Sequence, residues 1–99
     1  LDDAHGMSWC GTHGAGSLAD APLPRERTIL VSSLGKGFGC MGGVIAVPDE
    51  LTRQRIQNLG PALMFSIQLP PSVVGSIVAC AELHLTDEID RMQEELRAR

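Results

Sequence analysis

The sequence predicts an α/β fold in one domain: a short mixed sheet flanked by helices. Two short apolar runs rich in β-branched residues, at 28–33 and 42–47, read as strands on either side of a glycine-rich loop. Three segments after residue 48 then show helical spacing and helix-end signals. Strands followed by helices in a chain of 99 residues leave room for one small layered domain and no more.

Residues 1–27 read as loop, punctuated by Gly6, Gly11, Gly14, Gly16, Pro22 and Pro24. The run 28–33 contains Thr28, Ile29, Leu30 and Val31 and is expected to be a buried strand. Gly35-Lys36-Gly37-Phe38-Gly39 is too rich in glycine to hold helix or strand. A second strand at 42–47 closes on Pro48, and it is the one strand expected to run antiparallel in an otherwise mostly parallel sheet.

Asp49 is a good N-cap, and Leu51, Ile56 and Leu59 carry a helix over 49–59 to Gly60. Residues 62–69 look extended. Pro70-Pro71 opens a helix over 71–85, with proline in the first turn where its missing N–H costs nothing. Val73, Val74, Ile77, Val78, Ala79, Ala81 and Leu83 make that helix apolar nearly all round, which predicts burial on more than one side. Thr86 caps a last helix over 87–98, with Asp87 and Glu88 at its start and Arg97 at its end, as the helix dipole favours. Ile89, Met92 and Leu96 form its apolar stripe.

Charge and composition exclude several classes of function. A net charge of −4, scattered Lys and Arg, and 3% aromatic residues oppose a nucleic-acid surface. The apolar stretch around 72–85 is too short and interrupted to span a membrane, and the acidic start lacks a signal-peptide pattern. Cys10, Cys40 and Cys80 are far apart and odd in number, without a CxxC pair, which opposes both a zinc site and a disulfide framework. Reduced thiols in a cytoplasmic protein are expected. The chain starts at Leu1 rather than Met, so the expectation is a piece of a longer polypeptide.

Three segments bear chemistry: Asp2-Asp3-Ala4-His5, Ser33-Leu34-Gly35-Lys36, and Phe65-Ser66 ahead of Pro70-Pro71. Each is weak alone. A DxxH is commonly a loop with a solvated acid, an SxxK a capped turn, and a glycine-flanked lysine a phosphate contact, although GxxxxGK[ST] is absent. A lysine set just after a buried strand is desolvated, and desolvation favours the free amine that a Schiff base needs. His13 and His84 carry no assigned role, and Trp9 and Phe65 read as packing groups. The four methionines suggest core filling, and nothing marks Cys10 or Cys40 as an activated nucleophile.

Order makes these pieces specific. An acid and a histidine come first, then Ser-x-x-Lys after a strand, then Gly42-Gly43 opening the next strand, then Phe65-Ser66-Ile67-Gln68-Leu69-Pro70-Pro71. With Gly11-Thr12-His13-Gly14-Ala15-Gly16, this series resembles the α-oxoamine synthase group of fold type I pyridoxal-phosphate (PLP) enzymes along nearly the whole chain. That group includes 2-amino-3-ketobutyrate CoA ligase and 8-amino-7-oxononanoate synthase.

The resemblance implies a fragment of the PLP-transferase large domain, residues 1–99 being its central-to-late part. The upstream glycine-rich segment and the C-terminal small domain, with its substrate-carboxylate arginine, lie outside the chain. It implies that Asp2 pairs with the pyridine nitrogen of PLP, His5 with its phenolic oxygen, and Ser33 with its phosphate. Lys36 would form the Schiff base and then move protons. Ser66 would reach the phosphate of a neighbouring subunit, and Gly42-Gly43 would let the backbone pass close to the lysine loop. The implied reaction joins an amino acid to an acyl-CoA in a homo-oligomer, without a metal, and the isolated chain is not expected to turn over. The alternative is a non-catalytic relic that folds as a self-associating or partner-binding α/β module.

Overall fold

The computed structural model describes residues 1–19, 21–64 and 66–99. Phe65, expected to pack, lies outside them. Two strands, β1 (Leu30–Ser33) and β2 (Gly43–Ala46), pair antiparallel with Leu30 opposite Ala46 and Ser33 opposite Gly43. Asp2 adds one parallel bridge to Val31, so the sheet is mixed. Its ladder is antiparallel rather than mostly parallel, because residues 34–42 are too short for the crossover that parallel neighbours require. The loop instead folds back, with Leu34 N–H donating to Gly42 O at 2.9 Å and Cys40 N–H to Leu34 O at 2.7 Å. Gly42 stands at φ 101°, a turn that L side chains resist.

The helices are α1 (Glu50–Leu59), α2 (Pro71–His84) and α3 (Glu88–Arg97). Asp49 caps α1 as expected: its carboxylate accepts from Thr52 N–H at 2.7 Å and Thr52 Oγ1 at 2.9 Å, contacts that hold the carboxyl below its usual range. The cap of α3 shifts by one residue to Asp87, while Thr86 Oγ1 accepts from Glu88 N–H at 3.3 Å. Residues 61–64 form a turn rather than extended chain, with Leu63 and Met64 N–H groups both donating to Gly60 O. The early loop contains short turns of 3-10 helix at Thr12–Gly14 and Arg25–Arg27.

Burial departs most from expectation. Leu34 and Ile89, each 6% exposed, are the only large apolar side chains buried among the described residues. Only Ser32 of β1 is buried, β2 is exposed throughout, and α2 buries no residue. Val78 on α2 is 51% exposed. The dimensions give the reason: at 45 × 34 × 19 Å, the thin axis holds about two layers, since packed layers lie about 10 Å apart. Helix α3 packs on α2 and on the 12–14 turn, which leaves the outer faces of α1, α2 and the hairpin without a covering layer. No helix among the described residues is long and apolar enough to cross a membrane.

Candidate active site

The strand end that follows Ser33 turns the chain so that Lys36 stands at the tip of a glycine-bounded loop. Its Nζ donates to His5 Nε2 at 2.8 Å, across 31 residues of sequence. Two of the five predicted site residues therefore meet directly. Both are exposed, so the desolvation expected for Lys36 is absent.

Asp2 joins β1 through a parallel bridge to Val31. Its Oδ1 accepts from Ala4 N–H at 2.9 Å, a local bond that aims the turn leading to His5. Ser33 Oγ accepts from Gly35 N–H at 3.2 Å and so caps the lysine turn. Ser66 is exposed and donates to Leu63 O at 3.1 Å; no described contact joins it to Lys36 or His5.

The frame of the site rests on residues that the sequence did not single out. Asp3, 6% exposed, accepts from Ser17 N–H at 3.0 Å and from the Ser17 hydroxyl. Its own N–H donates to Val31 O at 2.8 Å, and its carbonyl accepts from Ser32 Oγ at 3.1 Å. One buried acid thus ties the start of the chain, the glycine loop and β1 together. The Asp2-Asp3 doublet was the available signal, but nothing in the sequence separates the acid that faces inward from the one that faces out.

His84 is a second anchor. Its Nδ1–H donates to Cys80 O at 2.7 Å, which leaves Nε2 to accept from Ser8 Oγ at 2.8 Å. Its ring stacks on Phe38 of the lysine loop with centroids 4.7 Å apart. Gln93 is buried and donates to Ser8 O at 3.0 Å and to Gly11 O at 3.3 Å. His13, at φ 54°, lies with Nδ1 2.8 Å from Asp90 Oδ2, and its N–H donates to Asp90 Oδ1 at 2.8 Å. Helices α2 and α3 therefore hold the early loop by polar contacts, and α2 holds the lysine loop through the ring stack.

Gly37 marks where those loops touch. A side chain there would meet Trp9 Cδ1 at 2.6 Å and Met7 O at 2.7 Å. An open groove of about 270 Å³, lined by Trp9, Gly37, Ile89, Met92 and Leu96, runs beside this contact. Trp9, expected to pack, is 51% exposed and only borders Gly37.

The chain matches the family model described as aminotransferase class I and II over residues 1–99. It is 36% identical over 98 residues to the 8-amino-7-oxononanoate synthase of Hydrogenovibrio crunogenus, covering 98% of this chain and 24% of that protein. It is 34% identical over 96 residues to the mitochondrial 5-aminolevulinate synthase of Schizosaccharomyces pombe, covering 95% of this chain and 17% of that one. Its fold superimposes with a TM-score of 0.75 on the crystal structure of 8-amino-7-oxononanoate synthase from Francisella tularensis, at 24% identity. That match covers 94% of this chain and 28% of the solved one, so the chain spans about a quarter of the length of such relatives. The motif order, the fold and these similarities together make the chain a member of the aminotransferase class I and II family, on its α-oxoamine synthase branch.

Proposed function

We propose that the chain supplies the cofactor-lysine segment, from the large domain, of a PLP-dependent acyltransferase that condenses an amino acid with an acyl-CoA. The observation that carries this reading is the 2.8 Å contact between Lys36 Nζ and His5 Nε2, with Asp2 bridged to the neighbouring strand. This donor set fits the cofactor. An amine suits its aldehyde carbon, an imidazole its phenolic oxygen, a carboxylate its ring nitrogen, and the Ser33 hydroxyl its phosphate. When bound, PLP supplies an electron-withdrawing ring that accepts the electron pair left when a bond at the substrate α-carbon breaks.

The chain's own residues do the rest. Lys36 would hold the cofactor through Nζ, and its amine would be the group placed to take a proton from the substrate α-carbon or return one. His5 accepts from Lys36 Nζ and so fixes where that amine points before it reacts. Asp2, held by Ala4 N–H, keeps its charge directed at one edge of the sheet. Ser33 sets the lysine turn and presents a hydroxyl beside it. Ser66 is proposed to serve a neighbouring copy, since among the described residues its hydroxyl has a local partner, Leu63 O, and none in the site.

The test is reductive trapping. The full chain is incubated with PLP, treated with borohydride and mapped by mass spectrometry. A pyridoxyl adduct is expected at Lys36 and lost in Lys36→Ala, with weaker trapping in His5→Ala and Asp2→Ala. An unmodified Lys36 under excess PLP would favour the non-catalytic module instead. That second reading draws on the exposed apolar faces of α1, α2 and the hairpin, which suit self-association.

A further inference from the structure

Cys40 and Cys80 lie 40 residues apart in sequence, yet their Sγ atoms are 3.3 Å apart. Cys40 closes the lysine loop, its N–H donating to Leu34 O at 2.7 Å, while Gly39 N–H donates to Lys36 O at 3.0 Å within the loop. Cys80 belongs to α2, and its carbonyl holds His84, whose ring stacks on Phe38 of that same loop. The thiols therefore flank a contact that already exists between the loop and the helix. Both cysteines are half-buried free thiols, shielded yet within reach of small molecules, whereas Cys10 is exposed and has no thiol neighbour.

We propose that Cys40 and Cys80 form a thiol–disulfide pair that fastens the Lys36 loop to α2 when a small disulfide of the oxidised-glutathione class is present. The thiolate of one cysteine attacks a sulfur of the small disulfide, whose S–S bond breaks and releases one small thiolate. The second cysteine gives its proton to solvent and attacks the protein-bound sulfur, releasing the second small thiol. Two protein thiols are oxidised to one disulfide, and one small disulfide is reduced to two thiols. Bridge formation needs the sulfurs to close to about 2.05 Å, within the range of a side-chain rotation. A metal reading is weaker, because no third His, Cys, Asp or Glu joins the pair among the described residues.

Burial, together with the neighbouring Cys80 thiol, pushes the Cys40 thiol up from its ordinary value. Its thiolate is scarce at neutral pH, so bridging accelerates as the solution becomes alkaline. Reduction of the bridge frees the loop again, which makes Lys36 mobility dependent on thiol state.

The test uses the reduced full chain with oxidised glutathione from neutral to alkaline pH, followed by alkylation, trypsin and non-reducing peptide mapping. Cleavage after Lys36, Arg53 and Arg55 puts the two cysteines on peptides 37–53 and 56–91, joined only by the bridge. That pair is expected to form about tenfold or more faster than any bridge through Cys10, because its two sulfurs are preassembled. Cys10→Ser should leave it intact, and Cys80→Ser should leave only a mixed disulfide at Cys40. Amide exchange over residues 35–41 should slow in the oxidised chain and not in oxidised Cys80→Ser. Stable mixed disulfides without a bridge, bridges through Cys10, or unchanged loop exchange on bridging would each overturn the proposal.

Discussion

The loops and hairpin before residue 47 and the helices after residue 50 satisfy their polar groups in opposite ways. In the first region, long-range hydrogen bonds converge on few buried atoms: Asp3 alone links residues 17, 31 and 32. In the second, each helix satisfies its own backbone, and α1 and α2 bury no residue, with Leu59 at 74% and Val78 at 51% exposed. Position in the first region is therefore set by a network in which one lost partner strands several others. Position in the second is set locally, so single side chains matter little unless they reach across, as His84 and Gln93 do.

The strongest way to break this contrast is at Asp3. Asp3→Ala leaves the Ser17 N–H and hydroxyl without their acceptor. It is expected to cost about 1.5–3 kcal/mol, the worth of hydrogen bonds to a charged acceptor, read as a lower denaturant midpoint. Asp3→Asn, which keeps one acceptor oxygen, should cost less.

Gly37→Ala comes next. It forces Trp9 and Met7 backbone away from the lysine loop, and overpacking of this kind costs about 1–3 kcal/mol. Trp9 is the only tryptophan, so its fluorescence should shift with the displacement. An unchanged spectrum would show that the two loops do not touch in solution.

Smaller effects sharpen the helical side of the comparison. Val78→Gln on α2 should change stability by no more than about 0.5 kcal/mol, because that position is exposed in the chain. A loss of self-association in the same variant, seen by sedimentation, would show what covers the helix.

Acid titration gives the smallest effect. The Arg53 guanidinium, followed by the Gln54 amide, holds the Glu50 carboxyl down to about 2. Its contribution is present above the usual carboxylate range and fades as pH falls through about 2, so α1 helicity should decline only in strong acid. Cys40 has the opposite sign. Its raised thiol favours the folded chain below the ordinary thiol range, and this is lost as pH rises through the elevated value.

Much of the fold was legible along the chain because its signals are local. Asp49 as cap, Pro71 in the first turn of α2, Gly60 after α1, and the antiparallel strand closed by Pro48 each act within a few residues. The ordered motifs also placed the chain in its family. The exposed helix α2 was not legible, since an apolar sequence predicts burial without naming the layer that provides it. The turn at 61–64 was missed because apolar Leu63 and Met64 look the same in a strand and in a turn.

Of the site, the sequence by itself determined the inventory: an acid, a histidine and a lysine in a set order around glycine loops. Residue type and spacing suffice for that, because they fix which chemistry is available and how the chain can turn. Only the tertiary structure decided that Lys36 meets His5, that Asp3 rather than Asp2 turns inward, and that Cys40 lies against Cys80. Each of these joins residues that local rules leave independent. Their meeting depends on how the hairpin, the early loops and α2 close on one another, which is a property of packing and not of sequence spacing.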